Sequence, residues 1–443
     1  MKPSPYNHFF EANEGRFILA YNSFTGALAE IERENHPRVQ QLLAHPDQAA
    51  TAQDHEFLQC LKDGGFIIPD AVDQLVALRT KARSLRLEGT LLALTVAPTL
   101  ACNFDCNYCY ESRSNVRMSE ETQEALIRFT DLHLRRAGAL RICWFGGEPT
   151  LCFGMIERLQ TRLLELAQRH HADIVPGTII TNGYLMDEAM ARRLKELQVT
   201  QAQISIDGPR PVHDSRRKLR NGGGTFDRIL DNLAATCDIL DVNVRINVDK
   251  GNVDSAYEVV EVMQSRGILP KVRVTFAQVT SSGEACSGIR DRCYDSEEFA
   301  RNLVQIHSRL LEHGINRVDP PRVLGGIACG ALASGNFVIS PTGHLFRCWE
   351  DLSMDARKSI GDLFSHQPEP GQVANLEAYR SWDPLKLPEC KTCGVLPICL
   401  GGCPVSGMQK AAPVRGDCVY WKYNLGEMLG MAYSTMAPPA PGE

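Results

Sequence analysis

The hydrophobic pattern between residues 89 and 318 alternates between short apolar runs and longer amphipathic stretches. The short runs predict strands at 91–96, 140–145, 174–181, 201–206, 242–248 and 272–277. The stretches at 119–136, 153–170, 187–197, 226–240 and 255–266 predict helices. Strands and helices in such alternation indicate an α/β fold with a parallel sheet, in which ligands gather at the carboxyl ends of the strands.

Residues 1–88 predict a separate, small α+β unit. Strand-like runs at 9–12 and 16–21 flank the hairpin signal Asn13-Glu14-Gly15, and a third strand is predicted at 27–31. Helical periodicity around 39–43, 57–61 and 71–85, with a short apolar strand at 66–69, completes the unit. This pattern fits either a cap on the main domain or a small winged domain that docks a peptide. For docking, the strand at 16–21 is expected at a sheet edge, where its free backbone groups pair with an extended peptide.

Residues 319–430 lose the alternation and are rich in Gly, Pro and Cys, so little apolar core is expected there. Metal ligation substitutes for hydrophobic burial in segments of this kind. The remaining residues, 431–443, are predicted to form a flexible tail, which is rich in proline from Ala437 onward.

Composition narrows the class of protein. The chain has 443 residues and a net charge of −6, so bulk electrostatics suggest no nucleic-acid partner. The sequence has no secretory h-region, and its most apolar run is too short to span a bilayer. With 16 cysteines and no secretory signal, metal or redox chemistry in a cytoplasmic protein is expected rather than disulfides.

Three closely spaced cysteines follow the first predicted strand of the parallel sheet. Cys102, Cys106 and Cys109 are separated by three residues and then by two, so their thiolates can converge on one ion or cluster. A structural zinc site normally needs four protein ligands, whereas an iron–sulfur cube bound by three thiolates keeps one iron free. A zinc knuckle or three unrelated core cysteines are the alternatives.

The triplet resembles the CxxxCxxC motif of the radical S-adenosylmethionine (radical SAM) enzymes. The resemblance implies a partial (β/α)6 barrel and a [4Fe–4S] cluster held by Cys102, Cys106 and Cys109. In that family the free iron chelates S-adenosylmethionine, and its cleavage gives a 5′-deoxyadenosyl radical that abstracts hydrogen. Tyr108 occupies the aromatic position that packs near the adenine in the family.

Polar motifs at the ends of later strands extend this resemblance. Gly146, Gly147 and Glu148 belong to a run that resembles the GGEP motif, which binds the amino group of S-adenosylmethionine. Asn182, Ser205 and Asp207 stand in segments similar to the family's TNG and S-x-DG segments, although turn chemistry alone also favours such residues. Arg217, or alternatively Arg216, matches the arginine that binds the cofactor carboxylate in relatives.

Two polar residues on the fifth strand, Arg245 and Asn247, alternate with apolar residues and are therefore expected to point into the barrel. Substrate contact and a solvated or structural role are both open for them.

The C-terminal cysteines form an ordered array that resembles the SPASM domain of peptide-modifying radical SAM enzymes. The resemblance assigns an outer auxiliary iron–sulfur cluster, expected to be [4Fe–4S], to Cys390, Cys393, Cys399 and Cys418. It assigns an inner one to Cys329, Cys348 and Cys403, which either has an open iron or recruits Cys286 or Cys293. A pair of zinc sites is the alternative, because CxxC pairs also bind zinc.

Acidic residues follow Cys348 and are candidate catalytic bases. Sulfatase-maturing relatives carry an aspartate directly after this cysteine, where this chain has Trp349. Glu350 or Asp351 would serve as the base if it faces the cavity, and a surface position is the alternative for both.

The resemblance predicts an oxidoreductase, a maturase that crosslinks or oxidises a ribosomally made precursor peptide (a RiPP maturase). The N-terminal unit then resembles, in layout, the leader-peptide recognition elements (RREs) of such enzymes. The implied partners are the precursor peptide and an electron donor such as flavodoxin or ferredoxin, with no nucleic acid and no membrane. The alternatives are an anaerobic sulfatase-maturating enzyme and a zinc-stabilised interaction module without enzymatic activity.

Overall fold

A computed structural model describes residues 1–12, 15–87, 89–111, 114–280, 284–323, 329–365, 367–408 and 418–436. Side chains at 85, 284–287 and 435–436 are outside this description. The strands, in chain order, are β1 (Lys2–Pro3), β2 (Asn7–Ala12), β3 (Phe17–Asn22), β4 (Leu28–Glu32), β5 (Ile67–Ile68), β6 (Leu91–Val96), β7 (Ala139–Trp144), β8 (Asp173–Ile174), β9 (Gly177–Thr181), β10 (Val199–Ser205), β11 (Asp241–Val248), β12 (Val272–Gln278), β13 (Asn336–Ile339), β14 (His344–Phe346) and β15 (Gly361–Asp362).

The helices, in chain order, are α1 (His36–Ala44), α2 (Ala52–Asp63), α3 (Gln74–Leu87), α4 (Glu120–Leu134), α5 (Phe153–Arg169), α6 (Glu188–Glu196), α7 (Arg210–Arg216), α8 (Phe226–Thr236), α9 (Glu258–Ser265), α10 (Ser296–Glu312), α11 (Pro370–Ser381), α12 (Pro388–Lys391), α13 (Leu396–Cys399), α14 (Pro404–Met408) and α15 (Trp421–Met436). The last helix extends six residues into the predicted tail, and 437–443 lie outside the described residues. No helix in the described ranges combines the length and the apolar character needed to cross a bilayer.

The chain forms two compact units, and the parallel sheet belongs to the unit made of 87–295 and 330–381. The sheet order is β12-β11-β10-β9-β7-β6-β13-β14-β15, and the six strands predicted from the sequence are parallel to one another. Buried apolar residues on these strands, such as Ile142, Ile204, Val244 and Ile246, form the core. The predicted α/β fold with a central parallel sheet is therefore confirmed.

Residues 336–362 extend this sheet, which the sequence did not indicate. β13 pairs in parallel with β6, and β14 and β15 follow as antiparallel strands. Val338, Ile339 and Phe346 are buried, so this part of the cysteine-rich region has an apolar core after all. The apolar runs were too short to predict strands, and the first of them, β13, depends on pairing with β6, which is distant in sequence.

The other unit combines residues 1–86, 296–329 and 382–443. Its three-stranded antiparallel sheet has the order β2-β3-β4. The expectation that the strand at 16–21 is an edge strand was therefore wrong, because β3 is central and pairs with strands on both sides. The free edges belong to β2 and β4, while Asn13 and Glu14 of the predicted hairpin lie outside the described residues.

Hydrophobic contacts explain why this unit is assembled from distant segments. Helices α1 and α2 pack on the sheet through a cluster that includes Ile18, Leu42 and Leu58. A second cluster joins Tyr6 and Leu78 to Leu385, Cys390 and Leu396. The N-terminal 86 residues therefore share a core with the segment that carries the outer cysteines.

Candidate functional site

The predicted cysteine triplet lies in the loop that follows β6, at the carboxyl end of the parallel sheet. Cys102, Cys106 and Cys109 are partly buried and line one pocket. Burial raises the pKa of the Cys102 thiol to about 12, so this thiol stays protonated unless a bound metal stabilises its thiolate. Within the described ranges, no three Cys, His, Asp or Glu side chains are arranged to hold a single metal ion.

Two glycines after β7 allow the backbone to pass close to the loop that leads into the triplet. Gly146 has a φ of +107°, and a Cβ there would lie 2.4 Å from the Thr99 carbonyl oxygen. A Cβ on Gly147 would lie 2.5 Å from the carbonyl oxygens of Leu100 and Ala101. Both glycines line the same pocket as the cysteines, so this strand end approaches the triplet in a way that only glycine permits.

Glu148 is fully buried beside these glycines and does not line the pocket. Its Oε1 accepts hydrogen bonds from the Thr150 amide at 3.0 Å, the Thr150 hydroxyl at 2.5 Å and the Thr181 hydroxyl at 2.7 Å. Its Oε2 accepts from the Asn182 amide at 2.7 Å. Burial raises the pKa of Glu148, while these donors favour its carboxylate form. Glu148 thus joins the ends of β7 and β9, and its predicted contact with a cofactor stays a prediction.

Asn182 and Ser205 stand at the ends of β9 and β10, and both line the pocket. The Nδ2 of Asn182 donates to Asn103 Oδ1 at 2.8 Å, which connects the end of β9 to the cysteine loop. Predicted site residues at the ends of β7, β9 and β10, which are neighbours in the sheet, therefore line the same pocket.

The two candidate arginines differ in their surroundings. Arg217 lines the pocket, donates from Nη1 to the Tyr108 hydroxyl at 2.5 Å, and has a buried Nε that finds no hydrogen-bond partner in the described part of the chain. Arg216 instead points into a buried ion-pair network with Asp207 at 3.4 Å and Asp249 at 2.9 Å. Of the two arginines, Arg217 is the one that lines the pocket, and Tyr108 lines the pocket beside it.

Asp207 is completely buried and lies behind the pocket wall. Burial by itself would raise its pKa, but the Arg217 and Arg216 guanidinium groups lower the pKa below its usual value. The carboxylate also accepts from the Asn247 amide at 3.2 Å. Asp207 thus supports Arg216 and β11, and it meets the pocket only through residues that line it, such as Asn247.

The carboxylates after Cys348 point to different places. Glu350 lines the pocket, together with Trp349, whose ring lies 5.9 Å from that of Phe145. Asp351 is buried away from it, where it accepts hydrogen bonds from Lys358 at 2.9 Å and from the Tyr379 hydroxyl. Glu350 is therefore the one of the two candidate bases that faces the cavity.

Glu111 also lines the pocket, a position that was not predicted from the sequence. Burial raises the pKa of its carboxyl group to about 7, and the nearby Glu148 charge adds to the effect. Its Oε2 is buried without a hydrogen-bond partner. Only its position, two residues after Cys109, could have indicated from the sequence that Glu111 lies near the site. No known motif spacing distinguishes a glutamate at this position from one on the surface.

The outer cysteines meet in the other unit. Cys390, Cys393, Cys399 and Cys418 line one small cavity, with Lys422 Nζ 3.8 Å from Cys418 Sγ. Burial, together with the charges of Cys399, Cys393 and Cys418, raises the pKa of Cys390 to about 11. The four predicted outer ligands are thus neighbours around a common space.

The predicted inner ligands are divided between the units. Cys329 and Cys403 belong to the unit with the outer cysteines, and Cys348 belongs to the unit with the parallel sheet. Of the two possible additional ligands, Cys293 packs in a cluster with Tyr108 and Tyr110, and the side chain of Cys286 lies outside the described residues.

Comparison with known proteins agrees with this site. Residues 96–265 match the Radical SAM superfamily, so the chain contains a radical SAM domain. The chain is 25% identical over 334 residues to the serine-type anaerobic sulfatase-maturating enzyme of Klebsiella aerogenes, covering 69% of this chain and 77% of that enzyme. It is 26% identical over 353 residues to the mycofactocin maturase MftC of Mycobacterium tuberculosis, covering 74% and 83%.

Solved structures show the same fold. The structure of anSMEcpe with bound AdoMet and the Cp18Cys peptide has a TM-score of 0.58 and 21% identity, covering 78% of this chain and 98% of that chain. Streptococcus suis SuiB bound to its precursor peptide SuiA has a TM-score of 0.53 and 15% identity, covering 94% and 98%.

Proposed function

We propose that this radical SAM chain is a peptide maturase, which crosslinks or oxidises a residue of a ribosomally made precursor peptide. One observation carries the proposal. The three cysteines, the two glycines after β7 and Arg217 all line a single pocket at the carboxyl ends of the parallel strands. The named relatives MftC and SuiB, one a maturase and one solved with its precursor peptide, supply the peptide as the expected substrate.

The pocket residues suit the group that the family binds. Cys102, Cys106 and Cys109 would hold a [4Fe–4S] cluster, and the backbone carbonyl groups at Gly146 and Gly147, which line the pocket, would accept hydrogen bonds from the ammonium group of S-adenosylmethionine. The unpartnered Nε of Arg217 would donate to the cofactor carboxylate. Bound there, S-adenosylmethionine and the reduced cluster supply a 5′-deoxyadenosyl radical, which removes one hydrogen atom from the substrate.

The rest of the reaction needs a proton acceptor and an electron acceptor. Glu350 is the proposed base, because its carboxylate faces the pocket and Asp351 is occupied by Lys358 and Tyr379. In the proposed scheme Glu350 would take a proton from the substrate radical, and the outer cysteines would hold an auxiliary cluster able to accept one electron. The four neighbouring outer cysteines support such a cluster, and their spacing alone also suits zinc.

The domain boundaries predicted from the sequence are proposed in the same way. Residues 1–88 would dock the leader of the peptide, 89–318 would form the radical SAM partial barrel, and 319–430 the SPASM domain. Since β3 is central, the edges of β2 and β4 are the positions at which a peptide strand can add. Protection of the amides at 7–12 or 28–32 from hydrogen exchange on peptide addition would test this, and unchanged exchange at both edges would contradict it.

Maturation of a sulfatase is the second candidate, since the Klebsiella sulfatase-maturating enzyme is among the relatives. The substrate would then be a Cys or Ser oxidised to formylglycine. Trp349, which stands where those enzymes carry an aspartate, favours the precursor-peptide reading. Incubation with a sulfatase-motif peptide separates the two, because only sulfatase maturation gives an aldehyde product.

The physiological setting is proposed to be the cytoplasm, with flavodoxin or ferredoxin as the electron donor. The decisive test is anaerobic reconstitution with iron and sulfide, followed by reduction and mass spectrometry of the peptide encoded beside this gene. The expected result is a brown protein that cleaves S-adenosylmethionine and changes the mass of that peptide. A colourless, zinc-containing protein without cleavage would contradict the proposal and favour an interaction module.

A further inference from the structure

Arg245 presents an unsatisfied guanidinium group to the pocket. It lies on β11 and lines the cavity, whereas its neighbours Val244 and Ile246 are fully buried in the core. Its Nε donates to Asn247 Oδ1 at 2.9 Å, and the Arg245 side chain makes no other hydrogen bond or ion pair among the described residues. Burial lowers the pKa of Arg245, as expected for a cation that lacks a close anionic partner.

Two buried arginines of this chain, in contrast, have acceptors within the protein for their guanidinium groups. Arg216 pairs with two aspartates, Asp207 and Asp249. Arg347 donates to backbone carbonyl oxygens, including those of Ala331 at 3.0 Å and Asn336 at 2.7 Å. An enclosed cation without such partners is costly, so an arginine left in this state is expected to meet its anion when a ligand binds.

The charges already in the pocket do not fill this role. Glu350 lines the same cavity and its charge acts on Arg245 from a distance, yet the two side chains form no ion pair in the described structure. The cofactor carboxylate is assigned to Arg217, which lies beside Tyr108 and the cysteines. Arg245 is therefore a second cation in the pocket. Because the cofactor has only one carboxylate, it cannot serve as the anionic partner of Arg245 as well.

We infer that Arg245 binds a carboxylate of the peptide substrate and thereby fixes the reacting residue in the pocket. This inference rests on the proposed function and adds the substrate class, a peptide with an acidic group at or next to the site of hydrogen abstraction. The terminal nitrogens of a guanidinium group match a carboxylate in a bidentate geometry. The carboxylate belongs either to an Asp or Glu side chain or to the C-terminus of the peptide.

The test uses three small probes with the reconstituted enzyme loaded with S-adenosylmethionine and left unreduced. N-acetylalanine carries a C-terminal carboxylate, N-acetylaspartate α-amide carries a side-chain carboxylate, and N-acetylalanine amide carries none. Binding is read from saturation transfer to the acetyl methyl protons by NMR, titrated over probe concentration to give a dissociation constant for each probe. At least one acid is expected to bind about tenfold or more tightly than the amide, the usual gain from a charge-assisted pair. Which acid binds identifies the source of the carboxylate.

Variants connect this preference to Arg245. Arg245→Gln should abolish the preference for the acid probes. Arg245→Lys should retain part of this preference, because lysine keeps the positive charge but cannot bind a carboxylate through two parallel hydrogen bonds. Arg141→Gln is the matched control, since Arg141 lies on β7 of the same sheet but does not line the pocket. Equal binding of acids and amide by the wild-type enzyme would overturn the inference without any variant. An acid preference that survives Arg245→Gln would also overturn it.

The cofactor must be measured in the same samples. If Arg245→Gln loses affinity for S-adenosylmethionine itself, Arg245 holds the cofactor carboxylate and the inference is wrong. A failure of the proposed function would give a different result. The reduced enzyme would then not cleave S-adenosylmethionine, whether or not the probes bind. Cleavage without any acid preference would leave the maturase proposal intact and reject the role of Arg245.

Discussion

The backbone amide of Asn182 donates to Glu148 Oε2 at 2.7 Å, which joins the carboxyl end of β9 to the glycine loop after β7. Asn182 in turn donates from its side chain to Asn103, between the first and second cysteines of the triplet. A buried carboxylate that does not touch the pocket thus holds together two of the strand ends that line it. Glu148 is therefore a positioning residue in this structure, and its predicted contact with the cofactor stays a prediction.

Glu148→Ala is expected to destabilise the protein and weaken S-adenosylmethionine binding together. The substitution leaves four donors without their acceptor in a buried site, at about 1–3 kcal/mol for each unsatisfied group. Denaturant unfolding and cofactor titration measure the two effects. Glu188→Ala, which removes only a surface pair with Arg192, is the control and should change the unfolding free energy by less than about 0.5 kcal/mol. Wild-type stability in Glu148→Ala would show that these hydrogen bonds are not formed.

Substitutions of Arg216 and Arg217 should affect different properties, protein stability for the first and cofactor affinity for the second. Arg216→Ala removes a buried partner of Asp207 and Asp249, so a loss of about 3–5 kcal/mol in the unfolding free energy is expected. Arg217→Lys keeps the charge beside Tyr108 and should mainly reduce affinity for S-adenosylmethionine. Unfolding curves and cofactor dissociation constants separate the two. If Arg216→Ala folds normally but loses the cofactor, the assignment of the two arginines is reversed.

This pair illustrates what the sequence can and cannot predict. The positions of the strands followed from apolar runs, and the alternation of strands with helices indicated a parallel sheet that would gather Asn182, Ser205 and Arg217 at one end. The sequence could not decide between Arg216 and Arg217, because adjacent residues near the end of a short helix face different directions. The core shared by Tyr6, Leu78 and Leu385 could not be predicted from the sequence either, since it joins residues about three hundred positions apart.

His213 should make stability depend on pH. Burial lowers its pKa to about 4, and its two ring nitrogens meet the Asp207 amide at 3.2 Å and the Thr225 hydroxyl at 3.1 Å, which suits a neutral ring. The unfolded chain, with an ordinary pKa near 6.5, binds a proton first as pH falls. Stability is therefore fully present above about pH 6.5 and is lost as pH falls toward 4.

Between pH 7.5 and pH 6.0, the free energy of unfolding is expected to fall by about 0.8 kcal/mol for each histidine whose pKa is lowered in this way. His307, whose pKa burial also lowers to about 4, contributes a similar amount. Denaturant unfolding of His213→Gln at both pH values should therefore show a smaller pH dependence than the wild type, whatever its absolute stability. His55→Gln, an exposed position, serves as the control. An identical pH dependence in His213→Gln and wild type would refute the neutral, buried ring.

Glu350 and Asp351 provide a test of the proposed base. Glu350→Gln should lower the yield of modified peptide per 5′-deoxyadenosine about 100-fold, within the range for loss of a general base. Asp351→Asn should instead lower the unfolding free energy, because it weakens the buried contacts with Lys358 and Tyr379. Product and 5′-deoxyadenosine are quantified together by chromatography and mass spectrometry. An unchanged ratio in Glu350→Gln would assign the proton to another acceptor, and Glu111 is the other carboxylate that lines the pocket.

The central claim is that the pocket lined by Cys102, Cys106 and Cys109 is the site of radical generation. Its most direct test is the rate of 5′-deoxyadenosine formation by the triple variant in which all three cysteines are replaced by Ala, after anaerobic reconstitution and reduction. The outer cysteines lie around a separate cavity in the other compact unit, so this variant should keep auxiliary iron but form no 5′-deoxyadenosine. Formation of 5′-deoxyadenosine at the wild-type rate by the triple variant would contradict the claim.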